Sequence, residues 1–363
     1  MTTGINTKGF RSFDIFVFVY CSTVTLGVIF LPYVAEEEIR SAWLKLAVSA
    51  LPYFLLLYLL HRFSRHYESR DLFKEVKVRM WTWLYGAILL YFFGSVIYSI
   101  LNGLKGLTMI TAVYLLPNTS EWILALTFLA AGGFAVWYGG IETITRFVVL
   151  LFFLELIVLF LLIALLFAGY FRWIYIPPVF GVGATDFFKS SISDAARYGG
   201  IIAVLGFLPF VRKDVSVGPP AIAAITFLMI TYVLVAVITL GTFGFEQSLV
   251  QLSPITSLVQ ALTTRMGVFE RLDLVFLGIW VVSFFKIYMI QLWFVFFISH
   301  KCTGSRKRWP LIASAAVIVF VLFLLTPPYI GQNLQAYNIN VLIYSFVLPL
   351  FLLVFLFIRG KRA

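Results

Sequence analysis

The sequence predicts an all-α, polytopic membrane protein. Hydrophobic residues make up 62% of the 363-residue chain and charged residues only 12%, whereas soluble domains usually hold about 45–50% and 25%. Uncharged stretches extend from Ile15 to Ala35, Met80 to Leu104, Val215 to Phe245 and Pro310 to Ile358. A helix needs about 20 apolar residues to cross a bilayer. Strands of a membrane barrel, with about ten alternating residues, do not fit runs of this length.

Ten transmembrane helices are expected. Charged segments and proline motifs separate the apolar runs, and IPP (176–178) and TPPY (326–329) read as span terminators. The basic segment 62–80 reads as an amphipathic stretch beside the membrane. The predicted spans are 12–34, 43–61, 81–102, 120–138, 141–169, 190–211, 217–243, 271–299, 309–328 and 336–358.

The charge distribution predicts the orientation of these spans. The formal net charge of +11 would suggest a nucleic-acid partner in a soluble protein, but here the basic residues flank the spans. With the N-terminus inside, eighteen of the 27 Lys and Arg residues fall on the inner side. The positive-inside rule therefore predicts an integral membrane protein in the lipid bilayer with both termini cytoplasmic. Because this rule explains the basic residues, no nucleic-acid partner is expected.

Two predicted spans are interrupted at corresponding positions. The first contains CSTVTLGVIFLP (21–32) and the sixth contains ARYGGIIAVLGFLPFV (196–211). Interruptions at matching places predict a five-plus-five inverted repeat, with repeats over 1–170 and 190–359, and a solute site at the membrane midplane. The alternative is packing, because Gly and Pro are common in membrane helices. The expected ligand-binding residues there are Ser22, Thr23, Val24, Thr25, Leu26, Gly27, Ala203, Val204, Leu205, Gly206 and Phe207.

Two lone charges stand in the middle of apolar runs. Glu155 lies in 147–169 and Lys286 in 274–299. Such residues cost roughly 2.5–3.5 kcal/mol at mid-bilayer, so each is expected to face a polar interior with a partner. Both lie at a similar depth, which predicts an intramembrane charge pair. A purely structural pair is the alternative to a functional one.

Polar side chains also follow one face of the third span. Tyr91, Ser95, Tyr98 and Asn102 are spaced by four, three and four residues, which places them on one side of a helix. This face either lines the cavity opposite spans 1 and 6 or binds neighbouring helices. Near the sixth span, Asp194 and Arg197 form either a gate pair or an interfacial contact.

Three segments carry a resemblance to a known family. TLGVIFLP (25–32) resembles the first-helix signature of amino acid–polyamine–organocation transporters, and AVLGFLPF (203–210) is similar to their sixth-helix glycine break. FERLDLVFLGIWVVSFFKIYM (269–289) resembles the eighth helix of the B subunits of GerA-type spore germinant receptors. The chain departs from the first signature at Thr25, where the superfamily often has Gly.

The resemblance implies a LeuT-like fold with helices 1 and 6 broken, in the inner membrane of spores. It implies partnership with an A-type subunit and a C-type lipoprotein subunit, and the sensing of a small germinant, commonly an amino acid. In that fold the first, fifth and eighth helices surround a cation position, and the Lys286 ammonium is expected at or beside it.

Three functions remain open on the sequence: a germinant-receptor subunit, a proton- or cation-coupled amino acid permease, and a ligand-gated water or ion conduit. An enzyme is not expected. His61, His66 and His300 all lie in inner-face segments, and no catalytic or phosphate-binding motif is present. No metal and no cofactor is expected.

Overall fold

Helices dominate the structure. The computed structural model describes residues 9–24, 42–164, 171–176, 183–250, 257–259, 272–305, 307–326 and 334–360. Seven helices in this described part are long and apolar enough to cross a membrane. The predicted all-α membrane class is therefore confirmed, whereas the count of ten spans and the two repeat boundaries stay predictions.

The helices are as follows in chain order. The first is α1 (Ser12–Cys21), followed by α2 (Ala42–His66), α3 (Leu72–Arg79), α4 (Thr82–Tyr114) and α5 (Glu121–Ala164). The second group is α6 (Ala184–Asp194), a 3₁₀ segment (Ala195–Ala203), α7 (Val204–Phe207), α8 (Gly218–Val250), α9 (Leu272–Thr303), α10 (Arg308–Leu325), α11 (Leu334–Leu342) and α12 (Leu348–Gly360). Of these, α9 is buried over most of its length.

The α5 helix contains two predicted spans. Its 44 residues would extend about 66 Å at 1.5 Å per residue, roughly twice the hydrocarbon thickness of a bilayer. Gly140 divides it with φ 57° and ψ −154°, a conformation that residues with a side chain rarely adopt. The fourth and fifth spans are therefore joined by a turn at one glycine, between the boundaries 138 and 141 predicted from the sequence.

The third span is longer than predicted. Its end was predicted at residue 102, but α4 continues to Tyr114. The uncharged stretch ends at Leu104, and the next residue is Lys105. Its ammonium donates a 2.5 Å hydrogen bond to the Thr326 carbonyl oxygen and lies over the Phe323 ring. These contacts accommodate the charge inside a continuous helix.

The sixth span is irregular over most of its length. After α6, Ala195–Ala203 forms a 3₁₀ helix of nine residues, and such helices seldom exceed three or four residues. A second 3₁₀ turn, Leu208–Phe210, contains Pro209. The irregular stretch coincides with the interruption predicted over 196–211, and its closest glycine contacts are made by Gly199 and Gly200.

A π-helical turn lies beside this 3₁₀ segment. Ile343–Val347 joins α11 to α12 and contacts Ala195–Ala203. A Cβ atom on Gly199 would lie 2.2 Å from Val341 Cγ1 and 3.2 Å from Ser345 Oγ. Ser345 in turn bonds the Tyr53 hydroxyl at 2.8 Å. Single π turns often mark functional positions, and this one packs directly on the irregular sixth span.

The loops at one end of the bundle are connected, and we call this the basic end. Arg70 donates to the carbonyl oxygens of Arg212 and Lys213, both at 2.8 Å. Phe10 pairs with the end of the sixth span through backbone hydrogen bonds to Phe210 and Arg212. Further contacts at this end are Lys301 with Asp71, Arg359 with the Arg79 carbonyl, and Gly218 with His61. The described terminal segments therefore lie at the same end.

Candidate functional site

The first span is interrupted in the middle of the protein. Its helix ends at Cys21 and is followed by a turn at Ser22 and Thr23. Both hydroxyls bond back to the Val19 carbonyl oxygen, at 3.0 and 3.4 Å. The Tyr232 hydroxyl of α8 donates to the Thr23 carbonyl oxygen at 2.9 Å. One of the carbonyls released by the break is thus satisfied by a side chain instead of water.

The two irregular segments touch each other. A Cβ atom placed on Gly200 would lie 2.1 Å from the Ser22 carbonyl oxygen, so the backbones meet where only glycine fits. Ser22 is 1% exposed and Thr23 is fully buried. Val24 follows at 5%. The predicted ligand-binding residues Thr25, Leu26 and Gly27 lie outside the described residues.

The predicted residues of the sixth span are packed against aromatic rings. Ala203, Val204, Leu205 and Phe207 are buried, and Gly206 faces Trp293 and Phe294 of α9. The Phe207 ring stacks on Phe18 at 4.2 Å and on Phe10 at 4.7 Å. In this conformation the sixth span is therefore closed against α1 and α9 between the break and the basic end.

The two intramembrane charges are in contact. Lys286 Nζ of α9 bonds Glu155 Oε1 of α5. The lysine side chain is fully buried, and the glutamate side chain is 11% exposed. Cys21 Sγ, at the end of α1, lies 3.5 Å from Glu155 Oε2. This cluster joins the interrupted first span to α5 and α9 at the position where the helix of α1 ends.

A cavity of about 60 Å³ lies beside this cluster, between α1, α5, α8 and α9. A water molecule needs roughly 10–15 Å³ of such space, so the cavity is large enough for several waters or a small polar group. Its lining residues come from four helices: Tyr20, Val24, Glu155, Val158, Leu159, Leu162, Thr231, Val235, Ile279, Trp280 and Ser283.

Two polar atoms in this lining make no hydrogen bond to the part of the chain that the structure describes. Ser283 Oγ and Trp280 Nε1 are buried and make no hydrogen bond to any described residue. Ser283 is 3% exposed and Trp280 is 6% exposed. An unpaired buried polar group costs about 1–3 kcal/mol, so both atoms would gain from a ligand. The indole N–H can only donate, whereas the serine hydroxyl can donate or accept.

The sequence predicted part of this lining. Val24 and Glu155 were named, whereas Tyr20, Thr231, Trp280 and Ser283 were not. Helical spacing around the two charges does indicate Ser283 and three other lining residues. Ser283 precedes Lys286 by three residues, and Val158, Leu159 and Leu162 follow Glu155 by three, four and seven. Residues on the face of a buried charge are its neighbours in space, so periodicity around each charge identifies them.

The polar face of the third span contacts α11. The Tyr91 hydroxyl and Ser95 Oγ donate to Asn340 Oδ1 at 3.3 and 3.0 Å. The Tyr98 ring lies 6.0 Å from that of Tyr337. These partners belong to α11, and Tyr91, Ser95 and Tyr98 are not among the residues that line the cavity beside Glu155.

The acidic residue before the 3₁₀ segment has two basic neighbours. Asp194 bonds Arg197 Nε at 3.1 Å and Lys45 Nζ at 3.3 Å. Lys45 is 1% exposed. The Tyr198 hydroxyl donates to the Leu46 carbonyl oxygen at 2.7 Å, so this end of the sixth span is fixed to α2.

The fold resembles that of a solved transporter. Mhp1, a nucleobase-cation-symport-1 family transporter in a closed conformation with bromovinylhydantoin bound, superposes with a TM-score of 0.66 at 13% sequence identity. The match covers 97% of this chain and 79% of that chain. At this identity the likeness concerns the fold alone, and it confirms the LeuT-like architecture predicted from the sequence.

Curated relatives are germination proteins of Bacillus subtilis (strain 168). Spore germination protein A2 is 22% identical over 343 residues, covering 91% of this chain and 89% of that protein. Spore germination protein YndE is 20% identical over 269 residues, covering 73% of each. A family model described as Spore germination protein matches residues 10–330, which include the interrupted spans and both buried charges. The chain is therefore an integral membrane protein of the spore germination protein family, whose fold and family are those of permease-like membrane proteins.

Proposed function

We propose that the chain is the membrane subunit of a spore germinant receptor, which binds a small germinant at mid-membrane and signals germination. The germinant is an amino acid or a similar polar solute. The observation that carries the proposal is the cavity at the interrupted first span, where Ser283 and Trp280 present polar atoms without a hydrogen-bond partner among the described residues, beside the Glu155–Lys286 pair.

The cavity chemistry suits one end of a polar solute. The Trp280 N–H offers a donor, the Ser283 hydroxyl offers either role, and the Glu155 carboxylate offers an acceptor. Because Lys286 compensates that carboxylate, the site carries little net charge. The Lys286 ammonium occupies, in this proposal, the place that a cation takes in cation-coupled relatives of this fold.

Signalling in this proposal uses the closed packing of the sixth span. The stacked rings of Phe10, Phe18 and Phe207 hold the first and sixth spans together at the basic end. A ligand that binds one arrangement of these spans better than another shifts the population between them. Residues Ser22–Val24 and Ala203–Phe207 would then line the path of the solute.

The partners and the membrane follow from the same proposal. A germinant receptor of this family would act with A-type and C-type subunits in the spore inner membrane, with both termini cytoplasmic. The contacts of Phe10 and Arg359 both lie at the basic end. Because basic loops favour the cytoplasm, this common position supports cytoplasmic placement of both termini.

Ligand binding is tested on the purified full chain by thermal shift against amino acids and sugars. Trp280→Phe and Ser283→Ala remove the indole N–H and the hydroxyl that line the cavity. Each should weaken binding of a stabilising solute about three- to tenfold, the value of one hydrogen bond. Ser314→Ala, on the exposed face of α10, should leave it unchanged. If no solute stabilises the wild-type chain, this subunit does not itself hold the germinant.

Solute uptake is the second candidate, favoured by the transporter fold. Transport assays on reconstituted vesicles distinguish a permease from a receptor. Accumulation of a radiolabelled solute that binds the chain would identify a permease, whereas binding without accumulation supports the receptor. Passage of water or ions only when the solute is present would identify a ligand-gated conduit.

A further inference from the structure

An apolar groove runs along the outside of the bundle between the first half of α5 and α10. Its volume is about 370 Å³. Small residues form its floor on both helices, namely Ala130, Gly133, Ala313 and Ala316. A Cβ atom on Gly133 would lie 3.6 Å from Ile312 Cγ2, so the helices are already in contact at the floor and leave a trough above it.

The length of the groove matches one leaflet of a bilayer. It extends along α5 from Leu126 to Trp137, a rise of about 17 Å, and half of the hydrocarbon core is about 15 Å. A transmembrane helix would be about 30 Å long and 10 Å across, which exceeds both the length and the volume of this trough. The dimensions therefore suit an acyl chain better than a helix.

Aromatic residues mark one end of the groove. Trp137 and Trp309 line it there, and both indoles are more than half exposed, at 52% and 65%. Tryptophan is enriched where the acyl region meets the headgroups. The groove therefore ends at the level of the headgroups on this side of the protein.

A cation stands at that same end. Arg308 precedes Trp309, and its Nη1 atom would lie 3.7 Å from a Cβ on Gly140, the residue at which α5 turns. The guanidinium thus reaches from the start of α10 to the end of the groove-lining half of α5. Lys307 is adjacent and, like Arg308, exposed.

Among the residues that the structure describes, no carboxylate forms an ion pair with these two cations, Arg308 and Lys307. Glu142, two residues beyond Gly140, is the nearest acidic residue in the sequence of that turn and also forms no ion pair within the described chain. A phosphate can therefore be bound at this position without displacing a carboxylate.

We propose that this groove binds one anionic phospholipid. Its acyl chain lies between α5 and α10 over the small residues, and its phosphate meets Arg308 and Lys307 beside the two indoles. Basic pockets between membrane helices are a recognised setting for anionic headgroups. This lipid site is separate from the cavity beside Glu155. The lipid site uses the half of α5 before Gly140, whereas Glu155 lies in the half after Gly140.

The test measures retained lipid on the purified full chain by native mass spectrometry. The probes are dioleoyl phosphatidylglycerol, dioleoyl phosphatidylcholine and inorganic phosphate. The Lys307→Gln/Arg308→Gln variant should bind phosphatidylglycerol less tightly by about fivefold for each charge removed, with phosphatidylcholine unchanged. The Ala313→Leu/Ala316→Leu variant fills the floor and should weaken both lipids with the charges intact. Inorganic phosphate should not compete at millimolar concentration.

The matched control is Lys74→Gln/Lys77→Gln, which removes two exposed charges from α3 at the same end of the protein. An equal loss of phosphatidylglycerol in this control would overturn the proposal, because binding would then follow diffuse surface charge. Unchanged binding in the filled-floor variant would also overturn it. A third test labels Ala316→Cys with benzophenone and cross-links it in native membranes. Capture of a partner protein helix in place of lipid would also overturn the proposal.

Discussion

Gly200 of the sixth span packs directly on the Ser22 carbonyl group at the interruption of the first span. A side chain on Gly200 would begin 2.1 Å from that oxygen and 3.0 Å from the Thr23 Cα atom. Real Cβ atoms do not approach other atoms so closely, and both neighbours are backbone atoms that cannot rotate away. The spacing of the two irregular spans is thus fixed by the absence of one methyl group.

Gly200→Ala should push the two spans apart. Overpacking of a buried contact costs about 1–3 kcal/mol, and we expect a lower melting temperature together with loss of solute binding. Gly94→Ala is the matched control, because a Cβ on Gly94 meets nothing within 4 Å and Ala favours the helix. Equal melting temperatures for the two variants would contradict this prediction, because the first and sixth spans would then accept a side chain at Gly200 without loss of stability.

Lys286→Met should be strongly destabilising. It leaves the Glu155 carboxylate buried without its cation, at a cost of roughly 3–5 kcal/mol. The double variant Lys286→Met/Glu155→Gln removes both charges and should recover most of the lost stability. Thermal unfolding of the wild type, both single variants and the double variant forms a double-mutant cycle that measures the pair.

The same variants separate a functional pair from a structural one. If the pair serves only stability, the double variant should respond to germinant in spores as the wild type does. If Lys286 acts at the ligand site, the double variant should accumulate in the membrane and fail to respond. Arg212→Gln, which breaks the exposed pair with Asp214, is the control and should affect neither property.

Tyr232→Phe should affect the break in the first span. The hydroxyl donates to the Thr23 carbonyl oxygen at 2.9 Å, and its removal leaves a buried acceptor unpaired at about 1–3 kcal/mol. We expect a lower melting temperature and altered solute affinity. Tyr138→Phe removes the hydroxyl of a ring that is 80% exposed and should change neither, so equal effects in both variants would refute a role of Tyr232 at the break.

Much of the fold could be predicted because the bilayer limits the possible structures. Long apolar runs, Gly140 between the fourth and fifth spans, and the basic loops all follow from helix length and charge. The extension of α4 to Tyr114 could not be predicted from the run alone, because Lys105 is accommodated by the Thr326 carbonyl oxygen and the Phe323 ring. Those partners lie more than 200 residues away in the chain.

The candidate site was less predictable than the fold. The buried charges pointed to α5 and α9, and the spacing around them contains Ser283 and Val158. Trp280 and Thr231 depend on how α8 and α9 are rotated, which hydropathy does not specify when a helix is apolar on nearly every face. The polar face of α4 was identified correctly as a face, but its contact with Asn340 depends on where α11 packs.

Arg70→Gln should loosen the basic end of the protein. Arg70 adopts φ 49°, and its guanidinium donates to two consecutive carbonyl oxygens, those of Arg212 and Lys213. These residues follow the sixth span directly, and the Arg212 amide donates to the Phe10 carbonyl oxygen, so Arg70 links α2–α3 to both spans that must move in the proposed signal. Without it, the amides of residues 210–213 should exchange with deuterium faster, by about tenfold for 1.4 kcal/mol of lost local stability. Arg65→Gln, an exposed charge on α2, should leave their exchange unchanged. Faster exchange in both variants would mean that net charge, and not these two hydrogen bonds, holds the end closed.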